Sequence, residues 1–165
     1  IWKKNAWSNF AQTKYQPMKE HEIISIFSEW KTIYFPIMQE RSESWKKMIK
    51  SWVVSKASMW NDVYNWANKW YDNSKQDAIM RVPSSVQFFN RERWQHPTQK
   101  PVALIEYLIR TYTNEWETVL DFTIGSGTTA IACINTNRNY IGFELDKWYF
   151  DIANERIAWK LQNKE

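Results

Sequence analysis

Apolar and polar positions divide the chain into an ordered C-terminal part and a middle without period. Leu104, Ile105, Leu108, Ile109 and Tyr112 recur at helical spacing behind Pro101, a good first residue for a helix. Val119-Leu120 reads as the end of a buried strand. Thr128 and Thr129 open a helix through Ala130, Ile131, Ala132, Cys133 and Ile134. Tyr140-Ile141-Gly142-Phe143-Glu144 reads as a second strand. From Lys147 to Leu161, Tyr149, Ile152, Ala153, Ile157 and Leu161 share one face of a last helix. At the other end, Ile1 to Asn5 looks like the tail of a strand, and the apolar run His21 to Ser28 predicts a buried strand. Residues 30–95 keep neither period and read as a loop-rich insertion.

The ordered part turns on Asp121-Phe122-Thr123-Ile124-Gly125-Ser126-Gly127-Thr128-Thr129. Gly125 and Gly127 permit a sharp turn between strand and helix, close to a ligand. The helix then starts with its free N–H groups facing that turn. Strand, glycine turn, helix, strand and acid is the layout of a nucleoside-binding βαβ unit. Glu144 follows Asp121 by 23 residues, near the ~20-residue offset at which an acid meets ribose hydroxyls. The glycine pattern alone fits the dinucleotide fingerprint only loosely, with Ala130 in the third small place, and an ordinary tight turn would read the same. No Lys follows Gly127, so it is not a phosphate-binding P-loop.

Upstream stands His96-Pro97-Thr98-Gln99-Lys100-Pro101. Taken with VLDFTIGSGTT and IGFELD, this block resembles the S-adenosylmethionine-dependent DNA amino-methyltransferases acting on adenine N6 or cytosine N4. The order is that of the permuted branch, with the catalytic half first. The resemblance is strong over about residues 94–157, looser over 1–30 and almost nil between. It implies an α/β, Rossmann-like fold: an incomplete, mostly parallel sheet with helices on both faces. Residues 1–29 would end the catalytic half, with a Trp-x-Lys near the start and a late strand at His21. Residues 30–95 would hold target recognition, and 96–165 the S-adenosyl-L-methionine-binding half.

Physical chemistry and resemblance together suggest roles. Glu144 can accept from a ribose diol, and Phe143 or Leu145 can line an adenine slot. Asp121 can meet an ammonium. Gly125, Ser126, Gly127, Thr128 and Thr129 can offer N–H groups to a carboxylate. The resemblance adds Phe122 packing on the cofactor, and His96, Thr98 and Lys100 closing over its methionine end. Arg81, Arg91 and Arg93 are candidate contacts to double-stranded DNA. His21 is read as structural.

The resemblance also implies an (Asp/Asn/Ser)-Pro-Pro-aromatic motif, whose side chains hold and stack a base flipped from the duplex. The five prolines, at 17, 36, 83, 97 and 101, are nowhere adjacent. No catalytic residue is therefore assigned. The expectation is the C-terminal part of a longer methyltransferase, inactive without an N-terminal catalytic segment. A non-catalytic module serving a separate catalytic chain is the alternative; a small-molecule methyltransferase fits the HPTQKP block and basic middle less well.

Charge and composition refine this. The net charge is +4, but residues 41–100 hold eleven Lys/Arg and five Asp/Glu. Such a stretch suits phosphate contact, or simply a solvated surface. Cys133 is the sole cysteine, which rules out an internal disulfide, offers no zinc cluster and fits a reducing, cytoplasmic setting; as a small helix residue it is expected in the core. No apolar run is long enough to cross a bilayer, and there is no signal-peptide layout. Twelve Trp and three Gly invert ordinary usage. Trp116, Trp45, Trp66 and Trp70 lie in turn-like surroundings, and Trp94 precedes HPTQKP where the resembled family commonly has glycine. The inversion is read as glycine codons translated as tryptophan at the eleven positions other than Trp2, against a truly Trp-rich chain that stacks bases.

Overall fold

The structure is a computed structural model that describes residues 1–8, 14, 19–47, 79–92 and 98–163. They fall into two compact units: residues 1–35 with 84–165, and residues 36–83. In the smaller unit, β3 (Gln39–Glu40) and β4 (Met80–Arg81) pair antiparallel.

Among the described residues the larger unit contains two sheets. In the first, β1 (Trp2–Ser8) lies between β2 (Lys19–Glu22), antiparallel to it, and β5 (Gln87–Phe88), parallel to it. Trp2 is opposite both Glu22 and Gln87. It is buried, and its indole N–H donates to the Phe89 carbonyl at 3.0 Å. The apolar run after His21 departs from expectation. The strand ends at Glu22, and Ile23 to Ser28 is irregular, with Phe27 91% exposed. A buried strand needs a second layer, and among the described residues none covers this run.

The second sheet carries the glycine turn. Helix α1 (Val102–Tyr112) leads to β6 (Thr118–Asp121), α2 (Thr128–Thr136), β7 (Asn139–Gly142) and α3 (Lys147–Gln162). Strands β6 and β7 are parallel, with Val119 opposite Tyr140 and Asp121 opposite Gly142. Period-two alternation sends Val119 and Tyr140 to one face, where they pack on Ile109, Ala132 and Cys133. Their neighbours Leu120 (61% exposed) and Ile141 look the other way, into solvent. Cys133 is fully buried, and burial pushes its thiol up to about 11, as expected of a core residue. This is the incomplete parallel sheet of an α/β, Rossmann-like fold.

Three local details adjust the sequence reading. Pro101 is extended (φ −61°, ψ 137°) and precedes α1 instead of opening it; its carbonyl accepts from Ile105 N–H at 3.3 Å. Leu161, in the last turn of α3, is exposed and does not join the packed face. Trp116 has a left-handed backbone (φ 70°) and is 71% exposed. That conformation suits glycine and penalises a bulky residue. Among the described tryptophans only Trp116 adopts it. Trp148 and Trp159 lie within α3, where glycine would be unfavourable. Trp94, Trp66 and Trp70 are outside the described residues.

Candidate functional site

The turn after β6 is shaped by its two glycines, both left-handed (φ 53° at Gly125, 82° at Gly127). A Cβ on Gly127 would stand 3.1 Å from the Ala153 Cβ and 3.3 Å from its Cα. The turn thus passes tightly beneath α3, and Gly127 ends it as the N-cap of α2. Gly142 in β7 has a different task. A Cβ there would run into the Ile124 side chain, so the turn leans closely on β7 at this glycine. Nothing in the pattern of the chain marked Gly142 for this.

A cavity of about 230 Å³ opens at the carboxyl end of β6. One wall is Thr98, Gln99 and Lys100, and the other is the turn from Thr123 to Thr129. Asp121 lies at its base. One Asp121 oxygen accepts from Thr123 N–H at 3.0 Å, and the other from the Thr129 hydroxyl at 2.6 Å. These bonds fix the carboxylate while leaving it lone pairs for a ligand donor. Ligand crevices outside the carboxyl ends of parallel strands are the rule for such sheets.

Glu144 is beside this cavity, not in its lining. Its oxygens accept from Gly125 N–H and Asp146 N–H, both at 2.9 Å, tying the turn to the loop after β7. Each oxygen keeps a second lone pair. Asp146 caps α3 through the N–H groups of Trp148 and Tyr149. Ser126 and Thr128 are buried in the turn. Phe122 is 76% exposed and does not line the cavity.

Lys100 pairs with Glu22 at 3.3 Å, which links the first wall to the β1–β2 sheet. Burial works to raise the Glu22 carboxyl, but Lys4 and Lys100 outweigh it and hold Glu22 below the ordinary carboxylate range. His96 and Arg93 lie outside the described residues. Arg91 is half-buried, and the exposed Arg81 reaches Gln39 across the β3–β4 pair at 3.4 Å.

Two residues that sequence reasoning passed over join the walls from behind. Arg156 on α3 donates from Nη1 to the Ser126 carbonyl (3.1 Å) and the Thr128 hydroxyl (3.2 Å). Its Nη2 is 4.0 Å from Glu92. Burial lowers the Arg156 pKa, and Glu92 opposes that. Glu92 also accepts from Gln99 Nε2 and from Val102 N–H, each at 3.2 Å, and so caps α1. The one signal of Arg156 in the chain is its place three residues after Ala153, on the face that packs. Glu92 carries no signal, because its partners are distant in sequence.

Known proteins resemble this chain in sequence. The profile of one family, described as DNA methylase, matches residues 1–155. The orphan methyltransferase M.BamHII of Bacillus amyloliquefaciens is 32% identical over 162 residues, which is 95% of this chain and 60% of that protein. The type II methyltransferase M.HpaI of Haemophilus parainfluenzae is 45% identical over 74 residues, 45% of this chain and 24% of that one. A crystal structure of an M1.HpyAVI–SAM complex shares 43% identity, covering 46% of this chain and 38% of its own, with a TM-score of 0.41. The chain therefore spans between a quarter and three fifths of these curated relatives.

Proposed function

This chain belongs to the DNA methylase family, and from that premise we propose that its cavity binds S-adenosyl-L-methionine for methyl transfer to adenine N6 or cytosine N4 in double-stranded DNA. One observation carries the reading. The cavity places a fixed carboxylate, a glycine turn at a helix N-terminus and a lysine around one space. That donor and acceptor set fits a zwitterionic amino acid joined to a nucleoside. Asp121 takes the ammonium. The amides at the start of α2, with Thr98 and Lys100, take the carboxylate. Glu144, through its remaining lone pairs, takes the ribose hydroxyls, and the exposed Phe143 and Phe122 shield the adenosine end. When bound, S-adenosylmethionine supplies a methyl group made electrophilic by its sulfonium. The chain's own residues bind and orient; none is assigned to polarise the base amine.

That last task falls, in this reading, to a catalytic segment that completes the sheet. The supporting feature is an apolar groove of about 320 Å³ along α1 and β6, lined by Ile26, Leu108, Ile109, Tyr112 and Leu120. Parallel strands are covered on both faces in stable folds, and a strand beside β6 would bring its end next to Asp121. Residues 30–95, with Arg81, Arg91 and Arg93, are proposed to read the DNA, leaving the target base open.

Isothermal titration of the chain with S-adenosylmethionine, beside Asp121→Ala and Glu144→Ala, tests the first step. Saturable binding by the parent and its loss in both variants is expected. Equal binding by all three would remove these carboxylates from the site. Adding the proposed catalytic segment should then restore methyl transfer to DNA.

A further inference from the structure

The two walls of the cavity come from different parts of the chain. A relay of side chains links them: Gln99, Glu92, Arg156, then Ser126 and Thr128. Gln99 belongs to the first wall, while Ser126 and Thr128 belong to the second. Glu92 and Arg156 themselves do not line the cavity. Arg156 is largely buried, at 17% side-chain exposure, so its bonds are weakly screened. Its rigid fork meets the glycine turn and Glu92 together, a geometry the point charge of lysine does not reproduce.

We propose that Glu92 and Arg156 are positioning residues that set the spacing of the two walls, and thereby the affinity for the charged, amino-acid end of the ligand. The inference rests on the binding reading above. It differs from it in assigning affinity to residues that never touch the ligand. It also predicts selectivity by ligand part. The tie spans the walls that hold the ammonium and carboxylate. The nucleoside end, beyond Glu144, is outside its reach.

The test uses this chain with two ligands: S-adenosylmethionine, and 5′-deoxy-5′-methylthioadenosine, which lacks the amino acid. Arg156→Met should weaken the first by about tenfold and the second by less than about twofold. Glu92→Ala should act in the same direction, and Arg156→Lys should recover only part of the loss. Ile109→Ala, a core change remote from the tie, serves as the control and should weaken both ligands together. Equal weakening of both ligands by Arg156→Met would mean that the pair merely stabilises the fold. Unchanged affinities would mean that the walls are spaced by something else. Either result overturns the proposal and leaves the pocket assignment standing. If the parent chain binds neither ligand, the pocket assignment fails and takes the inference with it. Amide exchange supplies a second measurement: Arg156→Met should speed exchange at Val102, through Glu92, as well as at Gly127.

Discussion

The βαβ unit and the β1–β2–β5 sheet share one compact unit but differ in how they are closed. In the βαβ unit, partners are near in sequence: β6 pairs with β7 across one helix, and the glycine turn contacts the helix that follows β7. In the β1–β2–β5 sheet, Trp2 pairs with Gln87, and Ile23, Ile26 and Phe27 lie open to solvent. The lesson concerns closure. Short loops let the βαβ unit bury one face from its own neighbourhood. The other sheet joins a local pair, β1 and β2, to β5 from far along the chain, so its third strand rests on a few anchors.

Trp2 is the strongest of those anchors. Trp2→Ala should cost about 3–5 kcal/mol, read as a fall in thermal midpoint. Amide exchange should rise in β1, β2 and β5 ahead of β6 and β7. If these five strands loosen together, the two regions are one cooperative unit and the contrast fails. Gly127→Ala attacks the other side. It combines a positive φ with the close backbone of Ala153, and about 2 kcal/mol of destabilisation is expected. The β1 sheet should keep its protection while ligand binding is lost; a variant as stable as the parent would show that the turn relaxes freely.

Trp116→Gly runs in the opposite direction. Relief of the left-handed strain should raise stability by about 1 kcal/mol, measured by denaturant unfolding. A matching gain from Trp148→Gly, within a helix, is not expected, and finding one would undercut the backbone argument. Codons at the tryptophan positions bear on the same point: UGG throughout would end the reading of them as glycine.

Glu22 gives the smallest effect and sharpens the link between the regions. Its carboxyl is held low by Lys4 and Lys100 against the opposing effect of burial. A depressed acid contributes stability that is complete above the ordinary glutamate range and is lost as pH falls through the lowered value. Glu22→Gln should therefore flatten the acid limb of stability against pH, modestly, because Lys100 and Glu22 are partly exposed. An unchanged acid limb would remove this ion pair from the account.

Much of the βαβ unit was legible because its causes are local. Helical spacing placed Ile109 and Cys133 in the core, and Gly125 and Gly127 marked a turn that both enter with positive φ. The run after His21 misled for the same local reason. Its composition suits a strand, but composition does not say whether a covering layer is present. The strand expected to end on Glu144 stops at Gly142, which leaves Glu144 in the loop beyond it; that Glu144 ties Gly125 and Asp146 was not legible.

The position of the turn, the carboxylates that flank it and the family resemblance all follow from residue type and short spacing. Folding alone reveals that Gly142 makes room for Ile124, that Lys100 meets Glu22, and that Arg156 and Glu92 connect two walls. These contacts join residues from 18 to 78 positions apart. No local pattern encodes them, since they exist only after the backbone has closed its loops and brought buried charge beside its partner.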